Sequence, residues 1–356
     1  MKSTRALALL PVLALGLAGC GGSTGPAGSS GSTSGTAASG DCSSADVFCV
    51  GLVTDMGKVD DKSFNQSAWE GVEAAKKAIS GSQTKYVETT DTKDYAANMK
   101  KFTDAKYDAV VTVGFLMAEA TAKAAKDNPN VKFIGVDQDH SKAALNNLVG
   151  LVFPEDQAGY AAGYLAGKMT KANKLGQVLG MQIPPVEKFA KGFEAGAKKA
   201  NPAVAVTTVY HPAGDTAFTD PTWGAAEAQK QLDQGADLIF GAGGKTGNGA
   251  LAQVAKASGA GEKIFCIGVD TDQWNTVPEA QKCLVTSAMK LITEGTNDLL
   301  KQAKDGTIKG GNFTGKAGLA PFHGLEAKVP ADVKTEVDKL VADLKAGTVT
   351  TGVKLG

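Results

Sequence analysis

From Val47 onward the chain alternates short, continuously apolar runs with segments whose apolar residues recur at helical spacing. The first half reads VFCVGLVTD, FNQSAWEGVEAAKKAI, TKYVETT, a helix over 95–104, DAVVTVGF, a helix over 119–126 and VKFIGVD. The second half follows the same design: NLVGLVF, a helix over 156–170, KLGQVLG, a helix over 186–200, VAVTTVYH, a helix over 221–234, DLIFGAG, a helix over 250–258, KIFCIGVD and CLVTSAMK. Strands that are apolar at every position need cover on both faces, and strands separated by helices pair in parallel. The pattern therefore predicts an α/β protein of two doubly wound, parallel-sheet lobes with a ligand cleft between them. Ligands of such sheets sit beyond the carboxyl ends of the strands. Asp55, Asp137, Gly243 and Asp270 stand at four of those ends. Taken singly, each is also accounted for as a helix cap or turn residue.

A different pattern precedes this body. Lys2 and Arg5 lead into an apolar stretch over 6–17, and Leu17-Ala18-Gly19-Cys20 closes it. Positive charge, apolar run and small residues in that order mark a secretory signal. Its ending resembles the lipobox of bacterial lipoproteins, which implies cleavage before Cys20 and a diacylglyceryl thioether on the cysteine sulfur. Residues 21–40 are Gly, Ser, Thr, Ala and Pro only. Such a composition cannot offset the cost of ordering itself, and about twenty flexible residues reach roughly 25 Å, enough to lift a globular body off a membrane. Residues 1–19 thus read as a lipoprotein signal and 20–41 as a lipidated cysteine and linker. No later apolar run is long enough to span a bilayer, so the body should be soluble and membrane-bound only through its lipid.

Charge narrows the partners. Lys and Arg together number 37, as do Asp and Glu, and loss of Lys2 and Arg5 with the signal leaves the mature chain acidic by two charges. No basic excess is available to neutralise phosphates, so nucleic acid is not an expected partner. Four cysteines follow Cys20, as Cys42 and Cys49, then Cys266 and Cys283. An even number in an exported chain suggests two local disulfides, with three connectivities open on sequence alone. Catalytic chemistry is thinly provided for. There are three histidines, His140, His211 and His323, and no G-x-S-x-G, H-E-x-x-H or C-x-x-C occurs from Val47 onward. The segment GAGGKTGNG lacks the first glycine of a phosphate loop, because Ile239 occupies that position. It reads as a glycine-rich turn from strand to helix. Neither a metal nor a cofactor is expected.

The stretch GLVTDMGKVDDKSFNQSAW over 51–69 resembles the start of the basic membrane protein family, the PnrA-like purine nucleoside receptors of ABC transporters. Further likenesses follow in order: GVDQD at 135–139, KGFEAG at 191–196, FTDP at 218–221, AGGKTGNG at 242–249, GVDTDQ at 268–273 and TSAMK at 286–290. The resemblance implies a type I periplasmic-binding-protein fold, two lobes joined by three crossings and closing on a nucleoside. The lobes would comprise 42–154 with a returning segment near 286–320, and 155–285 with the C-terminal segment 321–356. Carried over by position, it puts Phe64 and Phe218 on the two faces of the base and Asn65 near its polar edge. It makes Asp137 a base or pocket contact, and sets Gly243, Asp270 and Lys290 around the ribose. One departure stands out: where the family reads AGGTG, this chain has AGGKTG, which puts Lys245 beside the sugar site. Cys266 and Cys283 fall on successive strands that this fold sets side by side.

The residue chemistry agrees with that reading. An aromatic on each lobe stacks on a planar ligand, each adding about 0.5 to 1.5 kcal/mol beyond area burial. Carboxylates accept hydrogen bonds from hydroxyl and N–H donors and repel a phosphate, so a nucleoside suits the set better than a nucleotide. The expectation is a non-enzymatic, monomeric, lipid-anchored receptor on the extracytoplasmic face that passes a nucleoside, of the purine class, to a membrane ABC permease. A sugar or other small polar metabolite is the rival ligand, since aromatics and carboxylates also suit pyranoses. A nucleoside-hydrolysing surface enzyme and a ligand-sensing subunit are the rival roles.

Overall fold

The computed structural model describes residues 41–355. The signal, Cys20 and nearly all of the linker lie outside them. The first lobe begins β1 (Phe48–Met56), α1 (Phe64–Ala78), β2 (Ser82–Thr89), α2 (Tyr95–Asp104), β3 (Ala109–Val113), α3 (Ala118–Asp127), β4 (Lys132–Val136) and β5 (Leu148–Val152). The second runs α4 (Glu155–Met169), β6 (Lys174–Leu179), α5 (Pro184–Ala200), β7 (Ala205–Tyr210), α6 (Pro221–Asp233), β8 (Leu238–Ala242), α7 (Gly244–Lys256), β9 (Phe265–Asp270), α8 (Gln273–Thr276) and β10 (Leu284–Lys290). Then come α9 (Ile292–Lys304), β11 (Gly311–Thr314), β12 (Ala317–Leu319) and α10 (Ala331–Ala346). The sheets order as β11-β5-β4-β3-β1-β2 and β12-β10-β9-β8-β6-β7. All pairings are parallel except β10 with β12.

Successive strand residues serve opposite faces, which is why the runs are apolar throughout. In β1, Leu52 packs with Val72 of α1 and Leu299 of α9, whereas Val53 packs with Met99 and Phe102 of α2. In the second sheet Phe240 joins Leu165 and Phe193 of α4 and α5, while its neighbour Ile239 joins Leu251 and Val254 of α7. The α4–α5 contact is unusually close. A Cβ on Gly163 would lie 1.9 Å from the Phe193 carbonyl oxygen, so the sequence AGYAAGYLAG supplies glycine where the two backbones touch. That contact fixes both helix N-termini, and each carries a residue of the site.

The crossings correct the expected boundaries. Residues 284–290 do not return to the first lobe: β10 pairs in parallel with β9, Ala288 opposite Val269, inside the second sheet. Its apolar run is buried there, and the Cys266–Cys283 disulfide, Cα atoms 5.1 Å apart, ties its start to β9. The return comprises α9, which packs on α1, and β11, which pairs with β5, so it spans 292–314 rather than 286–320. The chain then goes back to β12 on the edge of the second sheet. Cys42 and Cys49 are also bridged, Cα atoms 5.6 Å apart, at the start of β1. Among the described residues no helix is long and apolar enough to cross a membrane, and no cluster of His, Cys, Asp and Glu could hold a metal ion.

Candidate functional site

A cavity opens where the carboxyl ends of the two sheets face each other, the place where ligands of such sheets sit. Phe64, Asn65, Asp137, Phe218, Gly243, Asp270 and Lys290 all line it. It is built around the start of α1. Asp61 caps that helix, its Oδ1 accepting from the Ser63 and Gln66 amides at 2.9 and 3.1 Å and its Oδ2 from the Asn65 amide at 2.9 Å. Three orphan helix amides are thereby satisfied, and the first two helical residues, Phe64 and Asn65, are set at the cavity wall. Asn65 Nδ2 donates a long bond to the Lys58 carbonyl at 3.4 Å. Its Oδ1 is buried with no partner among the described residues.

At the floor sits Lys290, buried at the end of β10. Its ammonium lies 2.6 Å from Asp137 Oδ2, on the first lobe, and 3.3 Å from Asp270 Oδ1, on the second. Burial alone pulls this ammonium toward losing its proton, but Asp137, Asp270 and Glu155 together overcome that and push it up. Burial pushes the Asp137 carboxyl up as well, a push that the Lys290 charge opposes. Both aspartates follow an apolar strand and hold left-handed backbone, φ 60° and 65°, a conformation sparsely used by non-glycine residues. Asp137 Oδ1 is a second buried acceptor without a partner among the described residues. Lys290 also stands 4.5 Å from the Phe64 ring centroid, so one face of that ring is already given to a cation.

Other members of the site were less visible in the sequence. Asp55, at the end of β1, accepts from Tyr95 Oη at 2.5 Å and from the Met56 amide at 2.7 Å, and burial raises its carboxyl to about 6 despite both bonds. Burial likewise raises Asp61 to about 6 against its three amide donors. Glu155 opens α4 almost fully buried, and burial, with the Asp137 charge, raises it to about 7 although Lys188 Nζ is 3.1 Å away. Phe189 of α5 adds an apolar wall. Asp55 had a signal, its place at a strand end. Glu155 and Phe189 sit within ordinary helical periods, and only the close α4–α5 packing brings them here.

The opposite wall is Phe218. Its ring lies against the end of β6, where a Cβ on Gly180 would come within 2.3 Å of it. The Phe218 carbonyl accepts from the Lys245 amide at 2.9 Å, which ties the Phe218 turn to the start of α7. The glycine-rich segment expected to be a turn is thus helical from Gly244, six residues earlier than the apolar period indicates. Glycine at Gly244, Gly247 and Gly249 hides a helix from hydrophobic periodicity. The Lys245 side chain, itself part of the cavity lining, reaches Asp60 across the cleft at 3.4 Å, a half-exposed pair worth about 0 to 1 kcal/mol.

A family profile describing PnrA-like ABC transporter substrate-binding proteins matches residues 48–316, most of the two lobes. The chain belongs to the PnrA-like substrate-binding family. Among its relatives, the CD4+ T-cell-stimulating antigen of Listeria innocua is 33% identical, over 87% of this chain and 86% of that one. The ABC transporter nucleoside-binding protein BmpA of Lactococcus lactis is 31% identical, over 84% of this chain and 87% of that one. A solute-binding protein of an Aeropyrum pernix ABC transporter superposes with a TM-score of 0.75 at 24% identity, covering 85% of this chain and 92% of that one, and shows the type I binding-protein fold. As a PnrA-like protein the chain is a binding protein and not an enzyme, extracytoplasmic, and served by a membrane permease.

Proposed function

We propose that this PnrA-like protein captures a nucleoside, most simply a purine nucleoside, and presents it to its permease while tethered to the membrane by a lipid on Cys20. The observation that carries the reading is the makeup of one cavity: an aromatic from each lobe, Phe64 and Phe218, with Asp55, Asp137 and Asp270 around it. Two aromatic rings suit the faces of a planar base. The unpartnered Asn65 Oδ1 and Asp137 Oδ1 suit N–H and O–H donors, because a buried acceptor left without a donor costs about 1 to 3 kcal/mol. A row of acids is unfavourable to a phosphate. The name of the Lactococcus lactis relative, a nucleoside-binding protein, agrees.

Calorimetric titration against purine and pyrimidine nucleosides, free bases, nucleotides and sugars tests the ligand class. Nucleosides should bind, with nucleotides weaker; binding of sugars alone would overturn the reading. Phe64→Ala or Phe218→Ala should weaken nucleoside binding by about 1 to 3 kcal/mol, from lost stacking and lost apolar burial. The loss should be similar for every base, since each has a π-face. Full affinity in both folded variants would return these rings to packing. The anchor has its own measurement. Cys20→Ser should leave protein in the aqueous phase of a detergent partition, and retention in the detergent phase would remove the lipid from the account.

A further inference from the structure

Between β1 and α1, residues 58–63 run along the seam between the lobes, and much of what holds them comes from the second lobe. Asp61 turns its side chain inward onto α1, which leaves its backbone carbonyl facing out. That carbonyl accepts from Asn248 Nδ2 of α7 at 2.8 Å. The next carbonyl, Lys62, accepts from Thr276 Oγ1 of α8 at 2.8 Å and from Gln273 Nε2 at 3.4 Å. Ser63 Oγ then donates to Asp270 Oδ2 at 2.8 Å. Lys62 has φ 66°, a left-handed conformation that a lysine adopts only when its surroundings impose it. The second lobe's donors are themselves braced: Gln273 Nε2 also donates to Asn248 Oδ1 at 2.8 Å, and Gln273 Oε1 accepts from the Val269 amide at 2.9 Å.

Lys58 and Asp61 line the cavity, whereas Asn248, Gln273 and Thr276 do not. We propose that residues 58–63 form a strap which the second lobe grips by its backbone carbonyls, so that Asn248 and Thr276 set how long a captured ligand is retained without touching it. Both grip main-chain oxygens, those of Asp61 and Lys62, so what they hold is the path of the strap's backbone. Opening the cleft breaks these bonds together, and closing it remakes them. Their loss therefore falls on the release rate, whereas the association rate, set by the open state, stays the same. The strap rests on the substrate-binding role, and only one arm of its test uses the nucleoside reading.

The test is the double variant Asn248→Ala with Thr276→Val in the full mature chain. Two hydrogen bonds at about fivefold each predict about twenty-five-fold faster amide exchange in peptides covering 57–66 without ligand. The same factor should appear in the release rate of adenosine and guanosine by stopped flow, with association within about twofold. Lys62→Val keeps every donor but puts a β-branched residue at positive φ, and should speed exchange in the same peptides. Unchanged exchange in both variants would overturn the strap. Faster exchange with unchanged release would overturn its part in retention. Failure of the unaltered protein to bind either nucleoside would count against the nucleoside alone, and the exchange arm would then decide the strap.

Discussion

Replacing Lys290 by methionine should lower the unfolding free energy by about 3 to 5 kcal/mol, read as a fall in urea midpoint. Methionine keeps much of the volume and the apolar stem, so the loss isolates the charge. The ammonium is buried between two carboxylates on different lobes, 2.6 and 3.3 Å away, with Glu155 near enough to help hold its proton. Removing one partner of a buried ion pair leaves the other charge uncompensated, and that is what costs about 3 to 5 kcal/mol. The sign with pH follows from Asp137. Its folded pKa is already raised by burial and rises further without the lysine, so its contribution is present below its unfolded value near 3.8 and lost as pH climbs through the folded one. The deficit of Lys290→Met should therefore be largest near neutral pH and shrink as the buffer is acidified toward that value. A deficit under about 1 kcal/mol, or one independent of pH, would show that these carboxylates do not depend on the lysine.

Asp270→Asn should weaken binding of a ribonucleoside by about 2 to 4 kcal/mol, since one acceptor oxygen becomes an amide donor facing groups that need an acceptor. A carboxylate has about four acceptor positions, so the bond accepted from Ser63 and the ion pair with the Lys290 ammonium leave room for sugar hydroxyls. Two routes to the loss are separable. If Asp270 reads the ribose directly, removing the 2′-hydroxyl should hurt the wild type more than the variant, a non-additivity expected of groups in contact. If it acts only by holding the strap, Ser63→Ala should reproduce its effect and the 2′-deoxy penalty should be the same in both proteins. The latter result would take Asp270 out of the sugar site.

The strand-end carboxylates were legible because a parallel sheet buried on both faces leaves few places for a polar residue, and GVDQD and GVDTDQ put one at the same point of each half. The parallel pairing of the strands follows from the alternation of strand and helix. Lys290 was legible through its TSAMK setting beside Asp270, but its nearer partner was not: nothing in the sequence pairs it with Asp137, 153 residues away. Glu155 was hidden for a similar reason, as an acid at a helix start is normally solvated and here the α4–α5 contact buries it. The boundary error at 286 has a physical cause too. A buried strand on either lobe has one and the same apolar run, and only its neighbour, β9, decides the lobe.

The return of α9 and β11 to the first lobe bears on how the chain is completed. Until Thr314 is available, the β5 edge over Leu148–Val152 has no partner on that side, and the apolar face around Val72 and Leu52 lacks its cover from α9. The half of the molecule that leaves the exporting machinery first is thus finished by residues made after five of the six strands of the second sheet. An exposed apolar face and an open strand edge invite pairing with other chains. A nascent copy stalled before that point carries both, so the interval between the emergence of β5 and that of β11 is the period in which this protein most needs protection from its neighbours.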